Sequence, residues 1–131
     1  MIFLFVGAFD WGFYAHSLIS TENAARVAAL YGANLSGGTV STTQACTLVL
    51  NELSIAPNVA NLTGCTGPVS DTQPVVVAVT CTTLDSLNAV QVAVTYRTLQ
   101  LVPIPGLLSG KVTLYRTAQM PMKGNTACAT S

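Results

Sequence analysis

Charge is scarce in this chain. Five of its 131 residues are Lys or Arg, five are Asp or Glu, and one is His. Charged side chains make up 8% of it, against about 25% of an ordinary soluble domain. The net charge is zero, so no bulk field draws in nucleic acid or an anionic surface. Arg26, Arg97, Lys111, Arg116 and Lys123 are scattered and form no basic patch. The carboxylates Asp10, Glu22, Glu52, Asp71 and Asp85 fall on different expected elements, so no acid–base pair is in view. His16 stands alone, and no Cys-x-x-Cys occurs, which removes the zinc and redox signatures. There is no Gly-x-Ser-x-Gly elbow, no phosphate loop and no dinucleotide fingerprint. The chain therefore reads as a non-enzyme, with no catalytic residue, metal or cofactor and no nucleic-acid partner expected.

What the chain has instead is apolar surface. Hydrophobic residues are 50% of it, and the mean hydropathy is +0.54. Such a composition excludes disorder and favours association over a monomer in water. All four Phe and the single Trp lie in the first thirteen residues. Met1 to Phe9 carries no polar side chain, Asp10 interrupts, and Trp11 to Ala15 continues. From His16 to Gly32 the pattern turns amphipathic, with Glu22 and Arg26 in the favourable acid-first i, i+4 order. No Pro precedes Pro57. These features predict one helix over residues 1–33, about 50 Å long, stopped by Gly32 or by Gly37–Gly38.

Nine apolar residues before Asp10 fall short of the roughly 20 that a membrane span needs. A signal peptide would show a basic start and a small-residue cleavage site, and neither is present. A domain of this size cannot cover a helix of about 50 Å from end to end. Its N-terminal half, with Phe3, Phe5, Phe9, Trp11, Phe13 and Tyr14, should project and need lipid or other copies of the chain. Asp10 then either marks the membrane–water boundary or requires a cationic partner on a neighbouring copy. Gly7, Gly12, Ala15, Ala24 and Ala28 offer small positions for close helix approach.

The remainder, residues 34–131, reads as a globular domain continuous with the end of that helix. Residues 34–43 are a Gly/Ser/Thr loop in which Ser41, Thr42 or Thr43 can cap a second helix. Apolar positions 45, 46, 49, 50 and 53 place that helix over 44–55, ended by Pro57. Residues 57–73 are a loop carrying Cys65. Beyond Pro74 the period becomes two. Strands are expected over 75–81, over 90–96 after a turn at 85–88, and over 111–120. Pro103 and Pro105 make 99–110 an apolar loop, and 123–131 a polar tail. The fold class is α+β: a long protruding helix, a short helix, and a three-stranded antiparallel sheet packed on the C-terminal half of the first helix. Seventeen Thr suit the outer face of a half-buried sheet without charge.

An even number of cysteines in an exported chain favours two disulfides. Of the three connectivities, the reading is Cys46 with Cys65 and Cys81 with Cys128. Each would contribute ~3 kcal/mol by closing a loop of about twenty to fifty residues. Asn34-Leu35-Ser36 and Asn61-Leu62-Thr63 fit the N-glycosylation tripeptide in expected loops, which makes Asn34 and Asn61 candidate modification sites.

Taken together, Asp10-Trp11-Gly12, Phe13-Tyr14 and the run Asn23-Ala24-Ala25-Arg26-Val27-Ala28-Ala29-Leu30-Tyr31-Gly32 resemble the TadE-like family. Its signature is close to EFG…Y…L…NAAREGARYA. The Val90–Tyr96 strand, the Leu101-Val102-Pro103-Ile104-Pro105-Gly106 segment and a last strand ending near Gln119-Met120 extend the resemblance over nearly the whole chain. It implies a type IV pilin-like or pseudopilin protein of a tight-adherence (Tad) pilus system, with an N-terminal membrane helix, prepilin processing and export into filaments or their assembly machinery. Members usually carry a basic leader and a longer apolar run with an early Glu. This chain opens at Met1, about midway into that run, as a shortened start or a processed form would. The expected function is a structural subunit of an extracellular, cell-surface filament, partnered by other copies, by the assembly machinery and, before assembly, by the membrane. The alternatives are a minor pseudopilin or membrane-anchored component of the same system, and an adhesion or binding module on a membrane stalk.

Overall fold

The computed structural model of the chain describes residues 1–99 and 111–131. The fold is α+β: a long N-terminal helix, a short second helix, and a three-stranded antiparallel sheet packed against the first helix. Helix α1 spans Ile2–Ala33 unbroken, about 48 Å at 1.5 Å per residue. It runs through Gly32 and ends at Asn34, whose side-chain amide donates to the Leu30 carbonyl at 2.9 Å. An Asn cap thus does the work expected of glycine. Gly32 serves packing instead, since a Cβ there would lie 3.0 Å from Val40 Cγ1 and 3.3 Å from Val90 Cγ1.

The buried residues of α1 begin only at Ser17 and continue with Thr21, Ala24, Ala25, Ala28, Ala29, Gly32 and Ala33. That spacing is a single helical stripe. The stripe is built of small residues because the helix lies close on the sheet. Thr21 donates its hydroxyl to the Ser17 carbonyl at 2.7 Å, so its polar group enters the core already paired. Ala24 and Ala28 are therefore spent on the chain's own sheet, which corrects the expectation that they serve contacts between copies. Gly7 and Gly12 stand in open space.

Helix α2 spans Thr42–Glu52 behind Ser41, whose carbonyl accepts from Ala45 N–H at 3.0 Å. It ends three residues before the expected limit. Beyond Glu52 the chain leaves through turns closed by Ala56→Leu53, Val59→Ala56 and Leu62→Val59 backbone bonds.

The sheet has the order β2–β3–β4, with β2 at Val75–Leu84, β3 at Leu87–Arg97 and β4 at Thr113–Pro121. Asp85 and Ser86 join β2 to β3, both at positive φ, as a two-residue hairpin turn requires. Val90, Val92, Val94 and Tyr96 of β3 are fully buried, while Gln91, Ala93 and Thr95 face outward. Gly32 meets Val90 at one end of the contact, and Ser17 shares a cavity with Tyr96 at the other. Strand β3 therefore runs antiparallel to α1. The core is these valines, the alanine stripe, and Val40, Val49, Leu53, Val59, Leu114 and Met122.

Strands β2 and β3 each extend three residues further toward the expected 85–88 turn, which shrinks to Asp85 and Ser86, and two segments expected to be irregular contain strands. The loop over 34–43 contains a strand, β1 at Thr39–Val40, and the polar tail contains a 3-10 turn at Lys123–Asn125 and a strand, β5 at Ala129–Thr130. They pair in parallel, Thr39 with Ala129 and Val40 with Thr130. The tail is held by the Cys81–Cys128 bridge and by Gly38, which sits at φ 70 and where a Cβ would collide with the Ala127 carbonyl oxygen. Of the expected apolar loop, residues 100–110 lie outside the described residues, and so does the 101–106 segment of the family resemblance.

Candidate assembly helix

From Met1 to Phe9 every residue of the chain except Val6 is exposed. Phe3 is 78% exposed, Phe5 83%, Phe9 67% and Trp11 73%. Met1, Ile2 and Leu4 are as open. The cause lies in the sequence: apolar residues occupy every helical face up to Phe9, so no single stripe can be buried on one sheet. By length and composition α1 is apolar enough to cross a membrane, with a mean hydropathy of 1.4 over an 18-residue window of which 6% is buried. The run from Met1 to Phe9 alone stays short of a span, and the window reaches this hydropathy only by continuing past Asp10. A single acid at Asp10 interrupts the run without ending it, because helical apolar character resumes at once from Trp11 to Ile19.

Asp10, Phe13 and Tyr14 are half-buried. Trp11 and Tyr14 form a tilted aromatic pair with centroids 6.1 Å apart. The Oδ1 atom of Asp10 is shielded from solvent and has no hydrogen-bond partner among the described residues. His16 is exposed, and among the described residues no cluster of three or more His, Cys, Asp or Glu side chains could hold a metal ion. Glu22 and Arg26 form the expected i, i+4 pair at 2.7 Å on the outer surface.

Where α1 emerges from the domain, a cavity of about 30 Å³ is lined by Phe13, His16 and Ser17 of the helix, by Glu52, Ile55 and Ala56, and by Tyr96. The Tyr96 hydroxyl donates to Asn58 Oδ1 at 2.9 Å, and Asn58 Nδ2 donates to the Arg97 carbonyl at 2.9 Å. Burial pushes the Tyr96 phenol above its ordinary range, opposed in part by the Asn58 bond. On the same end of the sheet, Lys111 Nζ bonds Asp71 Oδ1 at 2.7 Å. Arg97 Nε lies 3.4 Å from that oxygen, an ion pair without hydrogen-bond geometry. The Lys111 ammonium, aided by Arg97, holds the Asp71 carboxyl below the usual carboxylate range.

Both disulfides join the expected partners, Cys46 with Cys65 and Cys81 with Cys128, across 19 and 47 residues. The first is sealed in the core, and the second lies at the surface with Cys81 exposed. Asn34 and Asn61 are both exposed. The Asn34 amide is engaged as the cap of α1.

Ile55 is a surface residue that sequence periodicity did not single out. It is 79% exposed, because α2 stops at Glu52 and its apolar face does not extend that far. Pro57 restricts only Ala56, so no signal in the sequence marks Glu52 as the last helical residue. Comparison with protein-family models, with curated proteins and with solved structures finds no significant match to the chain.

Proposed function

We propose that the chain is a structural subunit of an extracellular pilus-like filament of the TadE-like kind, polymerising through the outer half of α1. The observation that carries this reading is the exposure of Phe3, Phe5, Phe9 and Trp11 on a helix whose other half is locked into a core. Each large apolar side chain gains about 1.5–3 kcal/mol on full burial, so a helix carrying several of them in water is held there only until a partner arrives. Bundling of these helices buries them. A head-to-tail contact that does not close on itself propagates into a fibre. Gly7 and Gly12, open on the outer half, permit close approach of neighbouring backbones. The Asp10 oxygen, shielded and without a partner among the described residues, receives a cationic group of a neighbouring copy in this arrangement.

Two disulfides in so small a domain support an oxidising compartment outside the cytoplasm. Before assembly the subunit is held by the membrane and passed on by the pilus machinery. A second reading, a minor pseudopilin or anchored component of the same machinery, draws on the capacity of α1 to cross a membrane. Electron microscopy of the cell-surface shear fraction, with mass spectrometry of the filaments, separates the two. Filaments built mainly of this chain are expected. Retention in the membrane fraction, with no filament containing the chain, gives the second reading. The substitution Phe5→Asp is expected to abolish assembly and leave both disulfides and the domain intact. Normal filaments from that variant would sink the filament reading.

A further inference from the structure

We propose that neighbouring copies pack their α1 helices in parallel with a stagger of about 9 Å, at which the Asp10 carboxylate of one copy accepts from the His16 imidazole of the next. This deepens the filament reading above and rests on it. From Ile2 to Thr21, α1 carries one carboxylate and one basic side chain, Asp10 and His16. The next two charges, Glu22 and Arg26, already meet at 2.7 Å within one copy. Asp10 Oδ1 is shielded from solvent without a hydrogen-bond partner among the described residues. Such a carboxylate needs a donor once packed copies exclude water. His16 is exposed, and its imidazole donates an N–H whether neutral or charged.

Within one helix the two groups do not meet. Six residues separate them, about 9 Å along the axis and about 120° around it. Between parallel neighbours the same offset brings them together. Asp10 faces one neighbour and His16 faces another, so the contact is heterologous and extends instead of closing in a pair. A shift of six residues also sets Phe3 level with Phe9 and Phe5 level with Trp11. Gly7 and Gly12, both open, come level with Phe13 and Leu18, so large side chains find small ones at their height.

Other cations fit less well. Arg26 lies sixteen residues beyond Asp10, about 24 Å. A stagger of that size sets Phe9 and Trp11 level with Ala25 and Val27, alongside the domain of the next copy and clear of its phenylalanines. Arg97 and Lys111 lie against Asp71. Arg116 is on β4 and Lys123 in the tail, and residues 100–110 contain no ionisable side chain. On its own copy His16 shares a cavity with Glu52 and Tyr96. Among the described residues no ion pair joins His16 to Glu52, and the Tyr96 hydroxyl is engaged by Asn58.

The test places two cysteines in the full chain, D10C/H16C, and oxidises its lipid-free assemblies mildly. Non-reducing gels and peptide mapping then read the links. We expect a ladder of covalent multimers joined from position 10 of one copy to position 16 of the next. A mixture of the single variants D10C and H16C should give 10–16 dimers, which proves that the link runs between copies. The variant D10C/R26C reports the longer stagger and should give no ladder. Exchange of the two side chains supplies a readout of the pair itself. By sedimentation, H16D and D10H should each weaken association about tenfold, and D10H/H16D should recover most of it. Far-UV circular dichroism and intact native disulfides verify the fold of each variant. Assemblies that link 10 to 26 and not 10 to 16, or an exchange that restores nothing, overturn the proposed pair and leave the filament reading standing. A native chain that forms no assemblies overturns both.

Discussion

Tyr96 shows how much one side chain can decide at the residue scale. Among the described residues it is the largest fully buried side chain, it ends the alternating face of β3, and its hydroxyl reaches Asn58 on the turn after α2. The bond ties the sheet to the segment where α1 emerges. Its loss in Tyr96→Phe leaves the Asn58 oxygen without its donor and is expected to cost about 1 kcal/mol in urea unfolding. The titration has a definite sign. A phenol raised in the folded state from its ordinary 10.0 binds its proton more tightly than in the unfolded chain. Its contribution is complete below pH 10 and disappears as pH rises through the folded value. Alkaline unfolding of the native chain should therefore be steeper than that of Tyr96→Phe, followed by phenolate absorbance alongside circular dichroism. Equal alkaline limbs would remove Tyr96 as the cause. Asp71 acts at the opposite extreme of pH. Its lowered carboxyl favours the fold above the ordinary value of 3.8 and ceases to do so as pH falls through the lower folded value. This carboxyl is exposed to solvent, so the effect is weak and fades with salt.

At the scale of elements, local pattern was readable and distant pairing was not. The β-branched run from Val75 and the alternation from Val90 to Tyr96 announce their strands, because period two is written in neighbouring residues. Of the three possible cysteine connectivities the reading chose the one the structure has, though no local pattern compelled that choice. The β1–β5 ladder was not readable. Two residues carry no period, and the pairing of Thr39 with Ala129 joins the two ends of the globular domain. For α2, periodicity pointed past Glu52, and the chain instead turns from Leu53 on, through bonds such as Ala56→Leu53. Along α1 the projecting apolar half was legible from the absence of polar residues. The use of Ala24 and Ala28 on the chain's own sheet was not, since small residues suit either contact. The two disulfides illustrate the same contrast. Cys46 and Cys65 are 6% and 2% exposed, whereas Cys81 is open to solvent and its partner half-open. Thiolate attack needs access to sulfur. Under rising dithiothreitol, alkylation and mass spectrometry should find Cys81 and Cys128 reduced first, with near-native circular dichroism and rapid hydrogen exchange at Ala129 and Ser131. The Cys46–Cys65 bridge should open only with global unfolding, and its removal should cost about 3 kcal/mol. Simultaneous reduction of both pairs would show that the tail and the core open as one unit.

The whole molecule divides its apolar content between two tasks. The alanine and valine positions close a core inside one copy, and the phenylalanines of α1 remain outside it. No residue before Phe13 is fully buried. Deleting residues 1–12 should therefore leave the unfolding free energy within about 0.5 kcal/mol of the full chain, as for surface changes that touch nothing. The same deletion should turn an associating chain into a monomer, read by sedimentation alongside urea unfolding. A loss of several kcal/mol would mean that the outer helix belongs to the fold, and continued association of the shortened chain would move the contact between copies elsewhere. Association of the full chain should also respond little to salt. With zero net charge and only 8% charged residues, copies neither repel nor attract at long range, and screening has little field to act on. Assembly that is driven by apolar burial should persist from low to high ionic strength, and kosmotropic salts should strengthen it. Assembly abolished by a few tenths molar sodium chloride would instead place the main contact on ion pairs, and Asp10 would be the first carboxylate to replace.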